Sequence, residues 1–151
     1  MAIRAFMGNA HPRLDDKGRV ILPAKFRDRL SDGLVMVKGQ EHCIYVWPRE
    51  AFETQLADIQ SRSSTNAKDR AFSRVLLASA YEDEADKQGR VTLPADLRAW
   101  AGLSGELTVV GQFDHVEIWD LAAWADYEAA HEEGFAQLDE TGVSATGSPA
   151  T

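Results

Sequence analysis

DDKGRVILPAKFR, residues 15–27, returns seventy-one positions later as DKQGRVTLPADLR, residues 86–98. Eight of the thirteen aligned positions are identical. Each copy has the same local grammar. Acid-x-x-Gly is a tight-turn signal, because Asp can bond its own backbone and Gly tolerates left-handed dihedrals. The short, partly alternating RVIL and RVTL then read as strands. Pro23 and Pro94 stand where helices can start, since proline loses no hydrogen bond there. Phe26 and Leu30, and likewise Leu97 and Ala101, have the i, i+4 spacing of one helix face. Gly102 is a helix stop.

The likeness spreads outward from this stretch. LVMVKGQ and CIYVWP follow the first copy, and ELTVVGQ and VEIWD follow the second. The GQ pair and the tryptophan recur at an offset of 72, so the second copy has gained one residue. Each half is expected to be a hairpin, a short helix and two further strands. Between the copies, Pro48 opens a helical run with Phe52, Leu56 and Ile59 on one stripe. SRSSTN breaks it, and Asn66 caps a second helical run carrying Phe72, Val75, Leu76 and Ser79. Asp120 precedes a last helical stretch with Leu121, Trp124 and Glu128 at helical spacing.

Charge is unevenly placed. The net charge is −8. Residues 1–80 nevertheless hold 13 Lys/Arg against 9 Asp/Glu, a balance of +4, and residues 81–151 hold 3 against 15, a balance of −12. Phosphate affinity follows the local field rather than the total, so the basic front keeps nucleic acid in play. The acidic back points to head-to-tail contact between copies. The lone Cys43 excludes an internal disulfide framework and any CxxC metal site. No run of apolar residues approaches a membrane span, and no secretion signal is visible. A cytoplasmic protein is expected.

Turn chemistry accounts for Asp, Gly and Pro in the repeated stretch, and burial accounts for Val20, Leu22, Val91 and Leu93. The arginine after the glycine is left over. Arg19 can pair with Asp15 across the turn, or it can point at a phosphate or a guanine edge. Both can hold together, because an Asp that braces an Arg also fixes its guanidinium. Other signals are set aside. His131-Glu132-Glu133 lacks the second histidine of a zinc motif, and His11, His42 and His115 have no partners at metal spacing. No P-loop, G-x-G-x-x-G or G-x-S-x-G occurs. No cofactor or metal is expected. Cys43 reads as a small core residue, and Trp47 and Trp119 read as packing anchors.

LDDKGRVILPAKFR, DKQGRVTLPADLRAWAGL and VGQFDHVEIWD, with the opening Phe6-x-Gly8, closely resemble the MraZ family. These are bacterial transcriptional regulators encoded at the head of the division and cell-wall cluster. The resemblance covers nearly the whole chain up to the last helix. It implies an AbrB/MazE-like (SpoVT-AbrB) fold of mixed α+β class, mainly β. In that fold two half-units form a swapped-hairpin, pseudo-dimeric β-barrel flanked by helices. With the break at SRSSTN as the boundary, residues 1–62 are the first half-unit and 63–137 the second with the linking and last helices, and the small, polar 138–151 reads as a flexible tail. The family pattern D-x-x-x-R falls on Asp15–Arg19 and Asp86–Arg90, which makes these arginines the implied DNA contacts, the first copy foremost.

The resemblance also implies a ring homo-oligomer that binds short direct repeats in promoter DNA upstream of its own operon and represses it. The protein would then be cytoplasmic and nucleoid-associated. Arg19 would read guanine, and Arg13, Lys17 and Arg4 would track phosphates. Lys25 and Arg27 would do the same or pair with neighbours. Because Gln88 and Asp96 replace basic residues in the second copy, and Glu82, Asp83 and Glu84 precede it, Arg90 is expected to sit in a more negative field. Its turn is then mainly structural or assembly-facing. The rival readings are an antitoxin of the same superfamily, a ring scaffold that binds no DNA, and an enzyme. The last is disfavoured because no nucleophile, base and metal constellation occurs.

Overall fold

A computed structural model describes residues 3–62 and 65–138. The described residues divide into two compact units, one within residues 1–120 and one within residues 121–138. In chain order the first contains β1 (Asn9–Ala10), β2 (Arg19–Ile21), α1 (Ala24–Arg27), β3 (Leu34–Gly39), β4 (Cys43–Pro48), α2 (Arg49–Ser61) and α3 (Ala67–Ala78). It continues with β5 (Tyr81–Asp83), β6 (Arg90–Thr92), α4 (Ala95–Ala101), β7 (Leu107–Gln112) and β8 (His115–Asp120). The second unit contains α5 (Leu121–Ala136). The tail expected from residue 138 lies, beyond Leu138, outside the described residues.

The strands form a six-stranded sheet, ordered β1-β7-β8-β4-β3-β5, and a two-stranded ribbon, β2-β6. Exchanging the two sequence copies reverses the sheet order and leaves it otherwise unchanged. The architecture is therefore pseudo-two-fold. The first two strands of each copy pair with the other copy: β1 with β7, β5 with β3 and β2 with β6, all antiparallel. Two further backbone bonds cross between the copies at equivalent places. Leu22 N donates to Gly89 O at 2.9 Å, and Leu93 N donates to Gly18 O at 2.8 Å.

This exchange corrects two expectations. The Asp15–Arg19 turn does not join two strands of one hairpin. The arm before it runs along the second copy, where Leu14 N donates to Gly105 O, and the arm after it pairs with β6. The expected pseudo-dimeric barrel is also not closed. The large sheet has free edges at β1 and β5, which are two and three residues long. Such short edge strands offer little template for further pairing.

One core serves both copies. Val20, Leu22, Phe26, Leu30, Leu34, Met36, Ile44 and Val46 from the first pack with Val91, Leu93, Leu97, Leu107, Val109, Val116 and Ile118 from the second. α1 is a single turn beginning after Pro23, so Leu30 lies beyond it, though it is buried as its spacing predicts. α4 is longer and ends at Gly102, whose φ of 63° supplies the left-handed cap. Asn66 caps α3 as its sequence predicts, accepting from Lys68 N and Asp69 N. The apolar stripes of the connecting helices are less buried than their spacing predicts. Only Phe52 of α2 is buried, and Leu56, Phe72, Val75 and Leu77 are exposed.

Trp47 and Trp119 are buried, as packing anchors should be. On the sheet beside Trp47, His115 stacks at 4.4 Å and meets the edge of Tyr45. Its Nδ1 lies 2.9 Å from Asp114 and its Nε2 3.1 Å from Glu117, whose other oxygen accepts from Trp119 Nε1. Burial works against the imidazolium, but its hydrogen bonds to Glu117 and Asp114, with their charges, outweigh it and hold the His115 pKa above its ordinary value. A raised folded-state pKa stabilises the fold fully below the unfolded value of about 6.5 and loses that contribution as pH rises through the folded value. Urea unfolding between pH 5.5 and 8.5 is therefore expected to show falling stability over that rise. His115→Gln is expected to flatten the slope; an unchanged slope would mean that other groups set it.

Candidate nucleic-acid interface

Each repeated turn is built around its aspartate. Asp15 Oδ1 accepts from the backbone N–H of Lys17 at 2.9 Å and of Arg19 at 2.8 Å, while Oδ2 accepts from Arg19 Nε at 2.8 Å. Gly18 has φ of 75° and closes the turn by donating to Asp15 O. The second turn is a replica. Asp86 Oδ1 accepts from the N–H of Gln88 and Arg90, both at 2.9 Å, and Oδ2 from Arg90 Nε at 2.7 Å. Gly89 repeats the positive φ and the closing bond. The Arg19 and Arg90 backbone N–H groups are the main cause holding the Asp15 and Asp86 carboxyls below the usual range, with the guanidiniums adding to it.

Both roles anticipated for Arg19 are compatible with this geometry. The aspartate engages Nε and leaves the two terminal nitrogens without a hydrogen bond to any described residue. Arg19 is only 29% exposed, and its stem lies against the turn. A guanidinium fixed at its Nε and open at its far edge presents two parallel donors, the shape that matches guanine O6 and N7 or a phosphate.

The other anticipated residues are dispersed. Lys17 is exposed on the first turn. Arg13 pairs with Glu106 at 2.8 Å, and both side chains are well exposed. Lys25 donates from Nζ to Asn9 O at 3.2 Å, and Arg4 lends its carbonyl to Arg29 at 2.8 Å. These two residues line a shallow depression with Phe6 and Arg29. Arg27 donates from Nε to Leu22 O at 2.9 Å, and its guanidinium lies directly over Gly89 of the second turn. A methyl group at Gly89 would collide with Arg27 Nε.

Sequence reasoning missed the counterpart of this contact. Arg98 donates from Nε to Leu93 O at 3.0 Å and lies over Gly18 of the first turn. The signal was present, because Arg27 and Arg98 are aligned and identical in the repeat. What it could not reveal is that each arginine serves the opposite copy. The exchange also alters the electrostatics. The first turn gathers Lys17, Arg19 and Arg98 against Asp15 and Asp16, three cations to two acids. The second gathers Lys87, Arg90 and Arg27 against Asp86, three to one. Counted at the turn alone, apart from Glu82, Asp83 and Glu84 before it, the second copy thus gathers as many cations as the first.

The ribbon joins the two turns. Arg19 pairs with Thr92, Val20 with Val91 and Ile21 with Arg90. Directly opposed residues share a face, so Arg19, Ile21, Arg90 and Thr92 lie outward while Val20 and Val91 face the core. The two braced arginines therefore share one surface. Among the described residues no cluster of His, Cys, Asp or Glu is arranged to hold a metal ion, and no helix is long and apolar enough to cross a membrane. Cys43 is buried, and burial pushes its thiol pKa far up, away from reactive thiolate chemistry.

Comparison with known proteins adds an independent line. A family model described as "MraZ protein, putative antitoxin-like" matches twice, over residues 5–75 and 76–145. A protein of Salinispora arenicola (strain CNS-205) is 50% identical over 135 residues, covering 89% of this chain and 95% of that protein. One from Thermobifida fusca (strain YX) is 50% identical over 135 residues, covering 89% and 94%. One from Mycobacterium sp. (strain KMS) is 50% identical over 137 residues, covering 90% and 96%. All three are named "Transcriptional regulator MraZ".

Proposed function

The chain belongs to the MraZ family, and we propose on that premise that it is a transcriptional regulator rather than an enzyme, and that it binds specific double-stranded DNA. The observation that carries the reading is the pair of aspartate-braced arginines on the outward face of one two-stranded ribbon. A major groove admits such a ribbon, and arginine forks read guanine there. Lys17, Arg27 and Arg98 flank the turns and supply phosphate contacts. Arg13, Arg4 and Lys25 add a weaker, sequence-independent attraction.

Copies join head to tail into a ring and present the same ribbon in the same sense, which suits short direct repeats in the promoter of the protein's own division and cell-wall operon. Several ribbons on one ring gain by effective concentration what one lacks in affinity. The exposed apolar side chains of α2 and α3 are the contact surface for this assembly. Repression follows where the repeats overlap the promoter, and the protein acts in the cytoplasm on the nucleoid. Gel shifts with a duplex from the chain's own upstream region, repeated across salt, test the reading. Affinity is expected to fall linearly in log-log form, with a slope of about −0.9 per phosphate neutralised. No salt-dependent binding at any concentration would favour the scaffold, and a co-purifying basic toxin would favour the antitoxin.

A further inference from the structure

Ile21 is the large apolar residue on the outward ribbon face, and packing does not account for it. It is 50% exposed, whereas Val20 beside it is 1% exposed. The core is filled from the other face of the ribbon by Val20 and Val91 and, just beyond the strands, by Leu22 and Leu93. Ile21 lies directly opposite Arg90 and two residues from Arg19 on the same strand. A branched aliphatic side chain thus stands exposed on the same ribbon face as the two arginines that Asp15 and Asp86 brace. The charge around it favours a polyanion over a second apolar protein surface.

We propose that Ile21 is a base-reading residue that contacts the 5-methyl group of thymine in the major groove, alongside the arginine contacts. This rests on the DNA-binding reading above. The thymine methyl is the one apolar group displayed on that groove's floor, and aliphatic side chains discriminate by touching it. The equivalent position in the second copy is Thr92, which is also exposed. It offers one methyl and a hydroxyl in place of a butyl group. The two pseudo-symmetric halves of the ribbon therefore do not read the same bases. The difference gives the DNA site a direction even though the two arginines and their braces are replicated.

The test uses the full chain and two duplexes of its upstream region, one natural and one with deoxyuridine replacing thymidine throughout. The second keeps every base pair and removes only the methyl groups. The wild-type chain is expected to prefer the natural duplex, by roughly fourfold for each methyl buried. Ile21→Ala and Ile21→Ser are expected to bind the two duplexes with a preference smaller by that factor, with unchanged oligomer mass by native mass spectrometry. A half-exposed position tolerates both substitutions, and circular dichroism checks it. Ile21→Ala with the full wild-type preference would overturn the proposal. So would an oligomer that dissociates on substitution, since Ile21 would then be covered by a neighbouring copy. Binding of both duplexes alike by the wild-type chain overturns this inference alone. No binding to either overturns the DNA-binding reading with it.

Discussion

Arg19→Ala is expected to weaken binding to the upstream duplex by about 5- to 140-fold per site, the equivalent of roughly 1–3 kcal/mol for a bidentate base contact. Several sites on the proposed ring would multiply that loss to the point where no shifted band remains. The size of the effect follows from the brace. A free arginine gives up rotamer entropy of up to about 2 kcal/mol when it is immobilised, but Asp15 already holds Nε in the unbound protein. Little ordering is left to be done on binding. Arg19→Lys separates the two chemistries that a guanidinium supports. Lysine keeps the charge but not the fork, so recovery by lysine would mean a phosphate contact and continued loss a base contact. Arg90→Ala is expected to produce a loss of similar order, because the second turn repeats every bond of the first and carries Arg27 over its glycine. Full affinity in Arg90→Ala would restore the division of labour that linear charge suggests. Oligomer mass should be unchanged in all three variants.

Leu22→Ala and Leu93→Ala are each expected to destabilise the fold by about 2–5 kcal/mol. Both side chains are fully buried in the shared core. Each leucine also donates its backbone N–H to the turn glycine of the other copy. The form of the transition is the sharper part of the expectation. Two independent halves would unfold separately, and each variant would shift only its own step. A shared core predicts one cooperative step over residues 1–120, moved by either substitution. Denaturant unfolding at fixed protein concentration, followed by tryptophan fluorescence and circular dichroism, reads both quantities. Two separable steps would contradict the shared core.

Most of the elements were legible because their signals are local. Acid-x-x-Gly, the prolines, Gly102 and Asn66 each specify a turn or cap within four residues, and each stands where its chemistry predicts. The long strands β3, β4, β7 and β8 were legible from β-branched and aromatic runs. β1 and β5 were not, since strands of two and three residues carry no period. Their pairing is decided by partners far away in the chain. The same blindness affected the site. Asp15, Arg19, Asp86 and Arg90 could be read from the turn itself, but Arg98 could not, because its place over Gly18 is a product of exchange. Summing charge along the chain placed Arg27 beside the first turn, whereas it lies over Gly89 of the second.

The exchange also sets a timetable for synthesis. Asn9 pairs with Val110, 101 positions later. At about 5–20 residues per second, the first strand leaves the ribosome roughly 5–20 s before its partner. In that interval β3 and β4 can close on each other, but β1, β2 and the apolar residues around Phe26 have nothing to pair with. A neighbouring ribosome on the same message displays chains at later stages, with β6 and β7 already made. A nascent first half can therefore be completed by another chain's second half, and the product is a dimer entangled through the same strand pairs. Tethering both halves in one polypeptide favours the correct partner by keeping it close, and the interval before it arrives is the period in which the chain most needs protection from its own copies.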